Sequence, residues 1–122
     1  KELLNDDVSK LTDIPKKFEG IKFDEDKPRF DLLPPNALLE VAKVYQHGSK
    51  KYGDRNWENG LMYSRLYRAA LGHLVSWWSG ESLDPDSKLS HLSHAAFNVL
   101  GLLEYELTKR KELDNRPKGE LK

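Results

Sequence analysis

Two apolar stretches with the spacing of an α-helix, separated by a short acidic turn that contains a proline, constrain this chain more than any other feature. In the first, Leu66, Ala70, Leu71, Leu74, Val75 and Trp78 recur at helical intervals between about Tyr63 and Ser79. In the second, Leu89, Leu92, Ala96, Val99, Leu100, Leu103 and Leu107 form one broad face. That helix is expected to begin near Asp86 or Ser87 and to fade into the charges of Lys109 to Glu112. Asp84-Pro85 keeps the first from continuing far. A short turn makes the two helices antiparallel neighbours.

A third helix is expected from Asn36, a good N-cap, through Leu38, Leu39, Val41, Ala42, Val44 and Tyr45 to a stop at Gly48. Upstream, Pro28, Pro34 and Pro35 make residues 23–35 an extended or turning connector. Internal repeats and strand-like alternation are absent. The sequence therefore predicts an all-α bundle of three principal helices. It divides into an N-terminal arm over 1–25, a helical ligand-binding domain over 26–112 and a loose charged tail over 113–122. Three helices leave an apolar side uncovered, so a homodimer or higher homo-oligomer is expected to complete the bundle, although an arm folding back would serve the same end.

At 122 residues the chain has room for one core and one site. Lys+Arg and Asp+Glu both number 20, so there is no net positive field to attract long nucleic acid. Cysteine is absent, which excludes disulfides and thiolate metal sites and fits a reducing compartment. No apolar run approaches the roughly 20 residues that span a bilayer, and the charged start KELLNDD does not read as a signal peptide. A cytoplasmic protein with no membrane partner is expected.

Chemistry-bearing side chains concentrate between His47 and Asn98. His73, Trp77 and Glu81 are spaced four apart and Asp84 follows three later, one stripe if the helix holds past Gly80. His91, His94 and Asn98 share a face of the next helix. The turn between them would bring Glu81 and Asp84 close to both histidines. Glu81 and Asp84 have the spacing of a carboxylate pair for Mg²⁺ or Mn²⁺, and a nitrogen from His91 or His94 would tilt the choice toward Mn²⁺. Alternatively the two acids cap and solubilise a helix end, and the histidines are satisfied locally. The stretch KKYGDRNW reads as a functional loop: Lys50, Lys51 and Arg55 offer charge, Tyr52 and Trp57 offer stacking surfaces, and Asn56 offers an amide for a base edge. Arg65 and Arg68 add cations at the start of the following helix. Trp57 could equally be a hydrophobic anchor. Trp77 and Trp78 cannot both face one core, so one packs and the other lines a pocket or a subunit contact. With no P-loop and no nucleophile elbow, hydrolysis here would use a metal-activated water. A site of this make-up suits a small-molecule nucleotide and its phosphates.

Three segments, DKPRFDLLPPNAL, HGSKKYGDRNW and HLVSWWSGESLDPDSKLSHLSHAAFN, together resemble the phage-associated dATP/dGTP diphosphohydrolase N-terminal-domain family. The resemblance rests on the order and spacing of GxxKYGxxNW and HxxxWxxGExxDxxxxxxHxxHxxxN. It implies hydrolysis of a purine deoxynucleoside triphosphate to monophosphate and pyrophosphate in a host-cell cytoplasm, chemistry similar to that of MazG-type all-α pyrophosphohydrolases. Those enzymes hold metal with EExxE on one helix and ExxD on the next. Here Glu81-Ser-Leu-Asp84 fits ExxD, but the first core helix offers only Glu40 for the other motif. On the enzyme reading Glu81, Asp84, His91 and His94 are catalytic, with Glu81, Asp84 and His94 on the metal. The alternative is a cofactor-free sponge that sequesters a host immune signalling nucleotide. A third possibility is an interaction protein whose histidine face is buried in a dimer contact.

Overall fold

The computed structural model describes residues 20–118 and divides them between a unit that ends at Leu32 and a unit that starts at Leu33. The first unit contributes a 3-10 turn at Phe30–Leu32 and an exposed ion pair between Arg29 and Asp31. Residues 1–19 of the expected arm and 119–122 of the expected tail lie outside the described residues. The second unit holds three α-helices, named α1 (Pro35–Tyr52), α2 (Tyr63–Trp78) and α3 (His91–Leu107). Short 3-10 turns occupy Asn56–Asn59 and Lys111–Leu113. The all-α class read from the sequence holds: the described residues contain no strand, only one isolated antiparallel bridge between Leu83 and Ser90. None of the described helices is long and apolar enough to cross a membrane.

Helix boundaries differ from the sequence reading in three places, each for a local reason. α1 starts at Pro35, not after Asn36, because a proline in the first turn has no amide to leave unpaired. It then runs through Gly48 to Tyr52 and stops at Gly53. A glycine inside a helix costs only about 1 kcal/mol relative to alanine. Gly53, at φ +93°, adopts the backbone that ends the helix, and its amide donates to the Ser49 carbonyl. Lys50, Lys51 and Tyr52 are therefore on the last turn of a helix and not in a loop.

α2 ends at Trp78 because Gly80, at φ +106°, closes a Schellman motif. The Gly80 amide bonds the Trp77 carbonyl and the Glu81 amide bonds the Ser76 carbonyl. The helical stripe expected from His73 through Trp77 to Glu81 and Asp84 is thus broken after Trp77. Residues 81–90 fold instead into a tight loop. Asp84 exchanges backbone contacts with Leu89 and Lys88, the His91 amide donates to the Ser82 carbonyl, and the Asp84 carboxylate accepts from the Ser87 amide at 2.8 Å. α3 begins only at His91, where the Ser90 hydroxyl caps it by accepting from the Leu92 amide. The expected start near Asp86 or Ser87 is absorbed by that loop.

α2 and α3 form the main packed pair, with Tyr63, Leu66, Tyr105 and Leu113 at its centre and Trp57, Leu61 and Leu102 against them. The rings of Tyr63 and Tyr105 stack with centroids 6.3 Å apart. The Tyr105 hydroxyl donates to the Trp57 carbonyl at 2.6 Å, tying the 3-10 turn to α3. α1 crosses onto α3, where Tyr45 meets Phe97 with centroids 4.5 Å apart. The tail expected to loosen from 113 is docked as far as Asn115. Leu113 is buried, and Asn115 accepts from the Ser64 amide at 2.9 Å and donates to the Ser64 hydroxyl at 2.8 Å. It thereby satisfies a free amide in the first turn of α2, whose own cap position, Met62, makes no side-chain bond.

Candidate functional site

A cleft of about 300 Å³ opens where the C-terminal end of α1, the turn after it, the middle of α2, the 81–90 loop and the start of α3 meet. Lys51, Tyr52, Arg55, Asn56 and Trp57 line it from the end of α1 and the turn that follows, and His73, Asp84, Ser87 and His94 line it from α2, the loop and α3. His47, one turn before Lys51 on α1, also lines the cleft. Arg55 takes a left-handed backbone at φ +54°, unusual for a residue with a side chain. In that position its guanidinium lies 4.9 Å from the Trp57 ring and bonds Glu58 at 2.8 Å. Trp57 has two roles at once: its body packs on the core and it also lines the cleft.

The histidines form one connected group. His73 stacks on His94 with centroids 4.6 Å apart and ring planes within 10°. Its Nδ1 lies 2.9 Å from Nδ1 of His91. His91 is only 3% exposed, and its other nitrogen, Nε2, lies 2.7 Å from the Glu81 carboxylate. His94 Nε2 meets the Ser87 hydroxyl at 2.7 Å. The Asn98 amide donates to the His94 carbonyl at 2.9 Å, bracing the helix behind the histidine from a buried position.

Charge follows from this packing. Burial, reinforced by the neighbouring imidazole of His91, pushes the His73 pKa down. Burial and then His73 lower that of His94, with His47 and His91 adding to the effect and Asp84 opposing it. Partial burial works against the Asp84 carboxylate, but the Ser87 amide and hydroxyl, His94 and His73 together outweigh it and hold its pKa below the usual value. At neutral pH the floor is two neutral imidazoles beside an ionised carboxylate. His73, Asp84 and His91 each offer a donor atom, and the three atoms lie within 4.8 Å of one another. Two nitrogens and one carboxylate oxygen suit a divalent transition ion better than Mg²⁺, which prefers an all-oxygen shell.

The model of the family described as dATP/dGTP diphosphohydrolase, N-terminal, matches residues 18–116. The chain belongs to this family. A dATP/dGTP diphosphohydrolase of Salmonella phage PMBT28 is 35% identical over 97 residues, which is 80% of this chain and 33% of that protein. The chain thus spans about a third of the length of this curated relative. No solved structure matches it.

Set against the family motifs, the structure gathers most of the side chains expected at the site but not all. Lys51, Tyr52, Arg55, Asn56, Trp57, His73, Asp84 and His94 share the cleft. His91 and Asn98 stand behind it as partners of the lining His73 and His94, Glu81 stands behind His91, and none of the three forms its wall. The close donor set differs from the expected Glu81, Asp84 and His94: Glu81 is hydrogen-bonded to His91, and His73 takes a place beside Asp84. Lys50 and Arg65 are exposed and outside the cleft lining, as is Trp77; Trp78 is 83% exposed, so neither tryptophan is a core residue. Sequence reasoning did not select His47 or Ser87. The spacing of four between His47 and Lys51 was the signal for the first, once α1 is known to pass Gly48. Nothing in the sequence marked Ser87, which is placed by the fold of its loop.

Proposed function

We propose that the cleft binds a purine deoxynucleoside triphosphate and hydrolyses it to monophosphate and pyrophosphate with a divalent cation, Mn²⁺ in preference to Mg²⁺. The observation that carries this reading is the convergence, in one cleft, of a stacking and basic wall with a histidine and carboxylate floor. The name of the phage relative agrees with it. Trp57, backed by Arg55, offers a face on which a base can stack, and Lys51 and Arg55 neutralise phosphate charge. Ionised Asp84 with His73 and His91 would hold the cation. When bound, the cation supplies charge neutralisation at the phosphates and a water of lowered pKa. His94, held against Ser87, is positioned to accept a proton from a group entering the cleft.

A second reading, a sponge that sequesters a host immune signalling nucleotide without cleaving it, is favoured by one observation. Asp84 is the lone carboxylate in the close donor set among the described residues, while the Glu81 carboxylate is engaged by His91. Binding by stacking and basic contacts needs no metal-activated water.

The test is to incubate the purified chain with dATP, dGTP and cyclic or ADP-ribose-type nucleotides, with and without Mn²⁺, then to chromatograph the solution before and after denaturation. Monophosphate formed only with metal supports the hydrolase. Nucleotide depleted before denaturation and recovered intact afterward supports the sponge, and no change in either pool overturns both.

The expected self-association has a face available in Tyr67, Val75 and Trp78 of α2 with Val99 and Leu103 of α3, all about half exposed or more. An apolar groove of about 720 Å³ runs beside Tyr67, Val99 and Leu103. We assign this face to a second copy in a cytoplasmic homodimer, to be checked by light scattering across a concentration series.

A further inference from the structure

The chain Glu81–His91–His73 is unusual because it consumes three titratable groups and ends in the cleft. The Glu81 carboxylate is 53% exposed, and a carboxylate that reaches out of solvent toward a 4%-exposed imidazole fixes where that imidazole carries its proton. A carboxylate can only accept, so where it pairs with a neutral imidazole His91 Nε2 is the donor at 2.7 Å. His91 Nδ1 then carries a lone pair. The 2.9 Å contact with His73 Nδ1 requires one donor and one acceptor, so His73 is the Nδ1–H tautomer. His73 Nε2 carries the remaining lone pair and has no hydrogen-bond partner among the described residues. It still reaches solvent, because no buried side-chain nitrogen or oxygen there lacks a partner. His73 lines the cleft.

We propose that Glu81 is a positioning residue and not a metal ligand: by locking His91 as the Nε2–H tautomer it aims two imidazole nitrogens at one point beside Asp84, a seat for a single divalent transition ion. In the metal-free chain a proton holds that point. When the ion enters, His91 keeps its tautomer and binds through Nδ1, while the His73 proton leaves Nδ1 and is carried on Nε2. The neutral imidazole neither gains nor loses a proton overall. A carboxylate behind a metal-binding histidine fixes ring orientation and raises ligand basicity, and removing such a partner typically weakens the metal by about 10- to 100-fold. This inference rests on the metal-assisted reading of the cleft, but its test needs no nucleotide.

The experiment is nitrogen NMR of the chain labelled in histidine, recorded above the histidine titration range, without and with Zn²⁺ as a diamagnetic probe, with Zn²⁺ affinity measured by calorimetry. In the wild type, His91 should read as Nε2–H in both states and His73 should change from Nδ1–H to Nε2–H on metal addition. Glu81→Gln, which keeps the acceptor oxygen, should preserve the His91 tautomer and bind Zn²⁺ within a few-fold of wild type. Glu81→Ala should lose the tautomer lock and bind about 10- to 100-fold more weakly, with helical circular dichroism unchanged. His91 found as Nδ1–H in the metal-free chain would overturn the proposal, as would a His73 tautomer that Zn²⁺ does not change. Equal loss of affinity in Glu81→Gln and Glu81→Ala would also overturn it and make Glu81 a direct ligand. Absence of triphosphate hydrolysis alongside an intact Zn²⁺ seat would count against the catalytic reading alone.

Discussion

Adding one methyl group at Gly101 tests whether the close approach of α2 and α3, which also sets His73 against His91 and His94, is held by a glycine. A Cβ at Gly101 would lie 2.8 Å from Cδ2 of Leu66. Carbon atoms settle at roughly 3.5 to 4.0 Å, so the methyl arrives about 0.7 Å too close at best. Leu66 is 5% exposed and packed among Tyr63, Tyr105 and Leu113, so it has no free space to turn into. Overpacking of this kind costs about 1 to 3 kcal/mol. Against it stands the gain from replacing a helical glycine by alanine, about 0.5 to 1 kcal/mol. The clash wins, and Gly101→Ala should destabilise by about 1 kcal/mol in urea unfolding followed by circular dichroism. Gly48 and Gly72 supply the control, since both are helical and a Cβ at either meets nothing within 4 Å. Gly48→Ala and Gly72→Ala should each stabilise by about 0.5 to 1 kcal/mol. In a Leu66→Ala background the struck atom is gone, and Gly101→Ala should then become stabilising as well. Stabilisation by Gly101→Ala in the wild-type background, equal to that of the two controls, would refute the argument.

Tyr105→Phe removes the bond to the Trp57 carbonyl, and about 1 kcal/mol of unfolding free energy should go with it, without loss of helical signal; no change in stability would mean water replaces the hydroxyl. The depressed pKa values of His73 and His94 make the unfolded chain the better proton acceptor below about pH 6.5, so stability should be full above that pH and fall as acid is added until the folded-state pKa values are reached. A His73→Gln/His94→Gln variant should flatten that part of the pH profile, and an unchanged slope would sink the assignment. Arg55→Ala should weaken nucleotide binding while leaving the melting temperature nearly unchanged, whereas Trp57→Ala should lower both because the ring also packs on the core. Titration calorimetry beside thermal melts separates the two.

Periodicity gave the three helices and their all-α class, because a helix that must bury one stripe writes that stripe into the order of its residues, and the short turn between the last two made them antiparallel neighbours. Residue type and spacing likewise placed Lys51, Arg55, Trp57, His73, Asp84 and His94 in one candidate site, and all but Arg55 fall on fixed positions of the family motifs. What the order of residues could not decide was which of these side chains face one another. Glu81 reads as a third rung after His73 and Trp77, but Gly80 turns the chain by adopting a backbone that only a glycine takes easily, and the carboxylate meets a histidine ten residues on. Gly48 reads as a stop, yet α1 continues past it, since the cost of a helical glycine is small and the true end is fixed at Gly53. Hydrogen bonds such as His73 to His91, Ser87 to His94 and Asn115 to Ser64 join residues 18, 7 and 51 positions apart. Local propensity and spacing determine which segments coil, because those forces act within a turn or two of chain. The partners of a buried imidazole are chosen by how helices and loops pack, and only the tertiary structure sets that.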